Sequence, residues 1–286
     1  MKVLPIAFDS LGVRSMATYV ETNDVRIVID PGVSLSPDRY SLPPHRIELD
    51  RRREMLAAVK RWTSIADIVI ITDYHYDHHN PDDKELYEGK EILLKHPRES
   101  INQSQKQRAQ ALLTMIEPGA KEIKFADGKA FEFGGTKVVF SAPVFHGLSA
   151  RLGYVIEVFI ADQEKFLFTS DVQGLLDEAA IDFIIDKAPD TIILDGPATY
   201  LIGSHYKKND ILQSIQNMKR IIKQTPVKHF IIDHHLLRDA NWVDYISELH
   251  ELRSDVKVCS AAGYLGKQED ILEARRKELY EGSTCG

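Results

Sequence analysis

The stretch IVIITDYHYDHHNP, from Ile68 to Pro81, joins a buried-strand pattern to a dense group of acidic and imidazole side chains. Four β-branched apolar residues come first, and such a run is typical of a strand that is buried on both faces. Two aspartates and three histidines follow within seven residues: Asp73, His75, Asp77, His78 and His79. Surface loops are polar, but they rarely concentrate this one chemistry. The stretch therefore predicts a functional loop at the end of a strand.

The alternation of Asp73, His75 and Asp77 lets an extended backbone direct all three side chains towards one point. His78 follows Asp77 directly and must point elsewhere, so one short loop can serve two neighbouring metal positions. Imidazole nitrogen and carboxylate oxygen are ligands that zinc and similar first-row metals accept. His79 lies beyond this pattern, and a plain loop histidine, or one that supports a ligand, is the favoured explanation for it.

Further candidate ligands lie at the ends of three later predicted strands. His146 ends TKVVFSAPVFH, Asp171 ends FLFTSD, and the pair His234 and His235 follows VKHFIID. Polar residues are common at strand ends, and Asp171 could instead cap a helix. Any one of these residues alone favours a structural explanation. Their joint occurrence with the loop at Asp73 to His78 favours a shared metal site.

The composition of the 286-residue chain excludes several classes of protein. A formal charge of −7 argues against a protein that coats nucleic acid electrostatically. The two cysteines, Cys259 and Cys285, rule out a cysteine-rich zinc module and fit a reducing cytoplasm. The N-terminal MKVLPIAFDSLGVRS lacks the apolar segment of a signal peptide, and no apolar run approaches the roughly 18 residues of a membrane span. We therefore expect a cytoplasmic protein with no membrane partner.

The order of predicted elements indicates two sheets packed face to face with helices outside. Apolar content of 43% is sufficient for a large core, and no linker of the kind that separates domains is visible. We therefore predict a single α/β domain over residues 1–286. The periodicity predicts helices that start at Glu48 and at Arg98, and a closing helix over QEDILEARRKELYEG, residues 268–282. VKVCSAA, residues 256–262, is predicted to be a strand.

Five separated elements resemble, in order, the motifs of the metallo-β-lactamase superfamily. They are VIDPG at Val28 to Gly32, D-x-H-x-D-H at Asp73 to His78, His146, Ser170–Asp171 and the strand-end His234. The first metal motif of that superfamily is usually H-x-H-x-D-H. The resemblance covers nearly the whole chain and implies the four-layer αββα sandwich of the superfamily. The chain is most similar to archaeal-type members, so the resemblance implies a fold and a metal more than a substrate.

The same resemblance implies two neighbouring metal positions that share a bridging carboxylate. The matching ligands are, for the first position, Asp73, His75 and His146; for the second, Asp77, His78 and His234; and, for the bridge, Asp171. His235 competes with His234, which is preferred because the residue directly after the strand usually binds in the superfamily. The departure is Asp73, where histidine is usual, and this harder ligand could weaken the first position. Two Zn²⁺ ions are the first prediction, and Mn²⁺ or Fe²⁺ are the alternatives.

The predicted chemistry is hydrolysis. A water between two cations has its pKa lowered towards neutral, which gives a metal-activated hydroxide at pH 7, and the same ions polarise the attacked group. Asp77 is the candidate catalytic residue because, besides binding metal, it could orient the nucleophile or hold a proton. The resemblance implies an ester, thioester or phosphodiester bond in a small-molecule substrate. Nucleic acid as a substrate and assembly into a homo-oligomer both stay open.

Two other functions also stay open at the level of the sequence. Some members of the superfamily hold di-iron and carry out redox chemistry, but they use glutamate in the first motif and need a flavin partner domain, of which this sequence shows no sign. The other alternative is a non-catalytic metal-binding scaffold. Asp73 keeps that alternative open, although an otherwise complete ligand set argues against it. Metal identity and turnover distinguish these functions from a hydrolase.

Overall fold

Two mixed β-sheets form the centre of the protein, which the computed structural model describes over residues 1–283. Cys285 lies outside the described residues. The strands of the first sheet lie side by side in chain order: β1 (Lys2–Phe8), β2 (Met16–Glu21), β3 (Arg26–Ile29), β4 (Ile68–Ile71), β5 (Glu91–Leu94) and β6 (Glu122–Phe125). Pairing is antiparallel from β1 to β3 and parallel from β3 to β6.

The second sheet is built from the rest of the chain. The strands of this half are β7 (Ala130–Phe133), β8 (Thr136–Phe140), β9 (Val144–Phe145), β10 (Tyr154–Val155), β11 (Val158–Ala161), β12 (Lys165–Phe168), β13 (Thr191–Asp195), β14 (His229–Asp233) and β15 (Lys257–Cys259). Their order in the sheet is β15-β14-β13-β12-β11-β8-β7, and β9 and β10 pair separately. Pairing is parallel from β12 to β15 and antiparallel elsewhere.

Helices cover the outer faces of both sheets. Those of the described chain are α1 (Arg46–Ser64), α2 (Gln103–Ile116), α3 (Glu178–Lys187), α4 (Lys208–Gln224), α5 (Trp242–Ile246), α6 (Ala261–Tyr264) and α7 (Arg276–Ser283). Leu112 of α2 shares a buried cluster with Val69 of β4, and Met218 of α4 shares another with Ile192 of β13. Within residues 1–283, no helix is long and apolar enough to cross a membrane.

A third buried cluster lies between the two sheets. It contains Ile70 of β4, Val158 of β11 and Ile193 of β13, together with many other apolar side chains from both sheets. The layers therefore run helix, sheet, sheet, helix, and the predicted αββα sandwich is confirmed. A core shared by both sheets supports the single domain over residues 1–286, which stays a prediction.

Strand β4 shows why its sequence is apolar at every position. Ile68 and Ile70 point into the cluster between the sheets, while Val69 and Ile71 point into the cluster under α1 and α2. Side chains alternate between the faces of a strand, and here both faces are buried, so no position favours a polar residue. The polar residues of the quoted stretch start where this burial requirement ends.

The predicted helix starts at Glu48 and Arg98 were wrong because capping residues set the true starts. Helix α1 starts at Arg46, since Glu48 Oε2 accepts a hydrogen bond from the backbone N–H of His45, 2.8 Å away. Helix α2 starts at Gln103, since the side chain of Asn102 accepts from the N–H of Gln105 at 2.8 Å.

Two predicted elements near the C-terminus were also too long. The strand predicted over VKVCSAA ends at Cys259 because Ser260 caps α6, with its Oγ accepting from the N–H of Gly263 at 2.9 Å. The closing helix predicted over residues 268–282 begins only at Arg276. Before it, the N–H of Asp270 donates to the carbonyl of Ser10 at 2.8 Å, a long-range contact that competes with helix formation.

Glu157 is a buried carboxyl group that provides a test of pH-dependent stability. Neither of its oxygens has a hydrogen-bond partner, and burial, with the nearby Asp177, raises the pKa of the carboxyl well above its ordinary value. When a carboxyl group has a higher pKa in the folded state than in the unfolded state, the folded state loses stability as the pH rises from the unfolded-state pKa towards the folded-state pKa. We therefore expect Glu157→Gln to raise the unfolding temperature at pH 8 by about 3 °C or more, and to change it much less at pH 5.

Calorimetry of Glu157→Gln and the parent chain at both pH values measures this difference. Glu132→Gln is the matched control, because Glu132 lies exposed in β7. An effect of Glu157→Gln that is equal at pH 5 and pH 8 would show that ionisation of this carboxyl does not limit stability.

Candidate metal centre

The loop after β4 is held in place by the turn that follows β3. Asp30 accepts hydrogen bonds from the backbone N–H of Thr72 at 2.8 Å and from Nδ1 of His78 at 2.7 Å. Gly32 lies directly against the loop: a Cβ there would be 2.6 Å from both the nitrogen of His78 and the carbonyl carbon of Asp77. The Asp–Pro–Gly turn therefore fixes the loop backbone by close packing, and Asp30 sets the orientation of His78.

A first group of donor atoms combines this loop with the ends of two other segments. Its members are Asp73, His75, His146 and Asp171. Each offers one donor atom, and these atoms all lie within 4.8 Å of one another. Nε2 of His146 is 2.8 Å from Oδ2 of Asp171, Nδ1 of His75 contacts Oδ2 of Asp73, and the rings of His75 and His146 stack with centroids 4.8 Å apart.

A second group lies beside the first. It consists of Asp77, His78 and His234, again with donor atoms within 4.8 Å of one another. Nε2 of His78 is 3.5 Å from Oδ2 of Asp171, and Nε2 of His234 is 3.7 Å from Oδ2 of Asp77. Asp171 thus contacts histidines of both groups, which is the position that a bridging carboxylate requires. All seven sequence-predicted ligands are brought together.

His235 belongs to a third grouping, with Asp171 and His234. Its Nδ1 lies 3.1 Å from each oxygen of Asp195, and its Nε2 lies 3.4 Å from Nε2 of Gln173. His234 shares a group with Asp77 and His78, and His235 does not. This geometry favours His234 as the ligand of the second position, and the assignment stays a prediction.

The donor set fits a divalent cation on physical grounds. Burial raises the pKa of Asp73, Asp77 and Asp171, but the positive charge of neighbouring imidazoles, and for Asp77 of Arg238 as well, outweighs it, and the net pKa of each carboxyl lies below its ordinary value. Buried carboxylates of this kind need positive charge beside them, and a divalent cation can supply it. In addition, Nε2 of His78 and Oδ1 of Asp171 are buried with no hydrogen-bond partner, and such orphan atoms are rare without a ligand. The residues therefore suit a metal site.

Gln105 supports Asp73 and was missed at the level of the sequence. Its Nε2 donates to Oδ1 of Asp73 at 2.6 Å and to the carbonyl of Tyr154 at 2.9 Å, which leaves Oδ2 of Asp73 directed at His75. Gly153 allows this packing, because a Cβ at Gly153 would be 2.6 Å from Cδ of Gln105. The capping pattern Asn102–Gln105 was visible in the sequence, but it indicates only a helix start.

We expect Gln105→Leu to weaken metal binding by about 10- to 100-fold, because a ligand that loses its supporting hydrogen bond is no longer held in orientation. Isothermal titration of chelator-treated protein with Zn²⁺ measures the change. Gln107→Leu, at an exposed position of the same helix, is the matched control. Equal affinity in the two variants would show that Gln105 does not position Asp73.

The loop after β13 contacts the neighbours of the donor groups through Tyr206, whereas His205 of the same loop lies on the surface. Tyr206 is buried and donates to Oε1 of Gln173 at 2.5 Å, and Nε2 of Gln173 lies 3.3 Å from Nε2 of His146. His205 is exposed and contacts Ser204. Gln173 is thus a neighbour of the donor groups that no local sequence pattern indicated, and Tyr206 holds it in place.

His79 and Cys259 have structural roles. The ring of His79 is buried with Nδ1 3.0 Å from the carbonyl of His75, and burial lowers its pKa to about 4. It belongs to none of the donor groups found among residues 1–283. Burial raises the pKa of the Cys259 thiol to about 11, so this cysteine is unreactive at neutral pH. The surroundings of His79 agree with its interpretation from the sequence as a residue outside the ligand pattern.

Comparison with known proteins gives close relatives in sequence. No family model matches the chain. A "UPF0282 protein" of Korarchaeum cryptofilum is 47% identical over 286 residues, which cover 98% of this chain and 95% of the relative. A second UPF0282 protein, from Metallosphaera sedula, is 47% identical over 287 residues, covering 98% and 93%.

Solved structures give the fold. The crystal structure of a "possible metal-dependent hydrolase" from Veillonella parvula has a TM-score of 0.55 at 14% identity, covering 86% of this chain and 94% of that chain. A "metal-dependent hydrolase of the beta-lactamase superfamily" has a TM-score of 0.51 at 13% identity, covering 91% and 96%. CmlA, a diiron β-hydroxylase from Streptomyces venezuelae, has a TM-score of 0.53 at 12% identity, covering 87% and 51%. The chain therefore belongs to the UPF0282 family and has the metallo-β-lactamase fold that its motif order predicted.

Proposed function

We propose that this protein is a metal-dependent hydrolase. The observation that carries the proposal is the convergence of donor atoms from four distant segments, which are the loop after β4, His146, Asp171 and His234. Bringing these donors together from separate strand ends buries several charged groups, which is energetically costly. A purely structural role does not explain this cost. The fold neighbours named as metal-dependent hydrolases support the same assignment.

Two cation positions follow from the donor groups. Asp73, His75 and His146 would hold the first and Asp77, His78 and His234 the second, with Asp171 between them. Zn²⁺ is proposed first, because nitrogen and carboxylate donors suit it, and Mn²⁺ or Fe²⁺ are alternatives because Asp73 adds a hard oxygen ligand.

A divalent cation held there would supply Lewis-acid polarisation and a water of lowered pKa. Asp77 is the proposed catalytic residue of the chain itself. Its Oδ2 lies at the second group, and neighbouring positive charges lower the pKa of its carboxyl, so the carboxylate can accept a hydrogen bond from a water molecule and orient it. Asp30 and Gln105 hold the donors in position, and Tyr206 with Gln173 closes the side near His146.

The mouth of the site favours a small-molecule substrate. The side chain of His75 is 31% exposed and Tyr76 is 49% exposed, while the other donor residues are largely enclosed. A substrate with an ester, thioester or phosphodiester bond would have to enter the site beside these two residues. The overall charge of −7 disfavours nucleic acid as the substrate. The cysteine content supports a cytoplasmic location, and assembly into a homo-oligomer is allowed.

The test combines metal analysis with an activity screen on one purified sample. Zn²⁺ or Mn²⁺ with turnover of generic esters, thioesters or phosphodiesters supports the hydrolase. Iron with a visible absorption band, without turnover, would point instead to a redox protein such as the diiron neighbour. A protein that retains no metal after expression in metal-rich medium would contradict the proposal.

A further inference from the structure

Arg238 lies beside the second donor group, and no local sequence pattern indicates this. The residue ends the short 3₁₀ segment that starts at His234 and is almost completely buried, at 3% exposure. Its Nε donates to Oδ1 of Asp9 at 2.8 Å. The other oxygen of Asp9 is 2.7 Å from Nδ1 of His234, so one carboxylate holds both the arginine and the candidate metal ligand.

The guanidinium lies against the second donor group. Since Nδ1 of His234 faces the Asp9 carboxylate, Nδ1 carries the proton and Nε2 presents its lone pair. Nη2 of Arg238 lies 3.1 Å from Nε2 and 3.3 Å from Nδ1 of this ring, so it sits over the face of the imidazole and leaves the in-plane lone pair of Nε2 free. It also lies 3.5 Å from Oδ2 of Asp77. The guanidinium therefore acts on this position through its positive charge.

The two donor groups therefore differ in charge. In the second group, the Arg238 guanidinium lies within 3.5 Å of both His234 and Asp77. In the first group, no lysine or arginine nitrogen of residues 1–283 makes a hydrogen bond or ion pair with a donor side chain. The neighbours of that group are neutral amides, from Gln105 on Asp73 and Gln173 on His146.

We propose that the two positions are unequal: one divalent cation binds tightly at the first position, and Arg238 supplies the positive charge at the second. This inference rests on the proposed metal-dependent function. A guanidinium stays charged at any working pH, and it repels a dication only a few ångströms away through a poorly screened interior. A second cation must therefore bind beside this fixed positive charge.

Zinc titration of the chelator-treated full chain tests the inequality. For the parent chain we expect one ion per chain to survive gel filtration, and a second Zn²⁺ to bind at least about 100-fold more weakly. Arg238→Gln should tighten the second binding step at least about tenfold, while the same change at the exposed Arg220 should leave it unaltered. Circular dichroism and thermal melting establish that each variant is folded.

Two ligand variants keep the test decisive if Arg238→Gln does not fold. His146→Ala should lose the retained ion, whereas His78→Ala should keep it, because the tight site excludes His78. Two ions of similar affinity in the parent chain, or loss of the retained ion in His78→Ala, would overturn the inequality and leave the proposed hydrolase intact. A parent chain that binds no Zn²⁺ would overturn both proposals.

Discussion

Asp171→Ala is expected to remove most of the bound metal and to reduce hydrolysis by at least about a hundredfold. The Asp171 carboxylate lies between the two donor groups, 2.8 Å from Nε2 of His146 and 3.5 Å from Nε2 of His78. Removing it takes one anionic ligand from both positions and leaves several imidazoles without a counter-charge. Metal content per chain, measured by mass spectrometry after gel filtration, is the primary readout.

A second readout of Asp171→Ala does not depend on knowing the substrate. A ligand that binds only the folded state raises the unfolding temperature, so a chelator should lower this temperature in the parent chain and leave that of the variant unchanged. Asp182→Ala is the matched control, since Asp182 is an exposed aspartate of α3 whose surface ion pair contributes little to stability. Full metal occupancy in Asp171→Ala would contradict the ligand assignment.

The residues of the loop after β4 could be predicted from the sequence because their relation is local. Their spacing does not give their directions, because Asp77 was expected to point with Asp73 and His75 but lies with His78, after a turn in which the N–H of His78 donates to the carbonyl of His75 at 2.9 Å. The strand before them is fixed by its apolar pattern. The same reasoning places His146 at a strand end, but it does not show which strand ends meet. That step came from the order of motifs in a known fold.

The supporting residues could not be predicted, because their contacts depend on the tertiary fold. Asp9 is separated by 225 residues from His234 and by 229 from Arg238, and no local periodicity relates such positions. Gln105 had a sufficient local explanation as part of a capping pair, which concealed its contact with Asp73, 32 residues away. Arg238 resembled an ordinary polar residue after a strand.

Adjacent histidines illustrate the same limit. The choice between His234 and His235 depends on backbone dihedral angles that a sequence pattern does not fix. His234 has a φ of 60°, in the left-handed region, and in this conformation its ring meets Asp9. His235, with ordinary φ, meets Asp195 instead. One unusual residue therefore decides which imidazole joins Asp77 and His78.

Gly32→Ala is expected to lower both the unfolding temperature and the metal affinity, because it displaces the ligand loop. A Cβ at this position would lie 2.6 Å from the nitrogen of His78 and from the carbonyl carbon of Asp77, and against the nitrogen of His79. All three are backbone atoms, so no flexible side chain can move aside. Overpacking of this kind costs about 1–3 kcal/mol, or several degrees in unfolding temperature for a chain of this size.

The expected loss of metal affinity in Gly32→Ala is at least about tenfold, because the N–H groups of His78 and His79 donate to the carbonyl of His75 at 2.9 and 3.2 Å, so a shift of a few tenths of an ångström also moves His75, a ligand of the first position. Zinc titration and thermal melting of the same samples measure the two effects. Gly282→Ala is the matched control, since Gly282 is exposed, a Cβ there would meet no atom within 4 Å, and alanine favours the helical conformation of α7. If Gly32→Ala kept both its melting temperature and its Zn²⁺ affinity, the loop would be positioned by other contacts, and the Asp–Pro–Gly turn would have no part in building the metal centre.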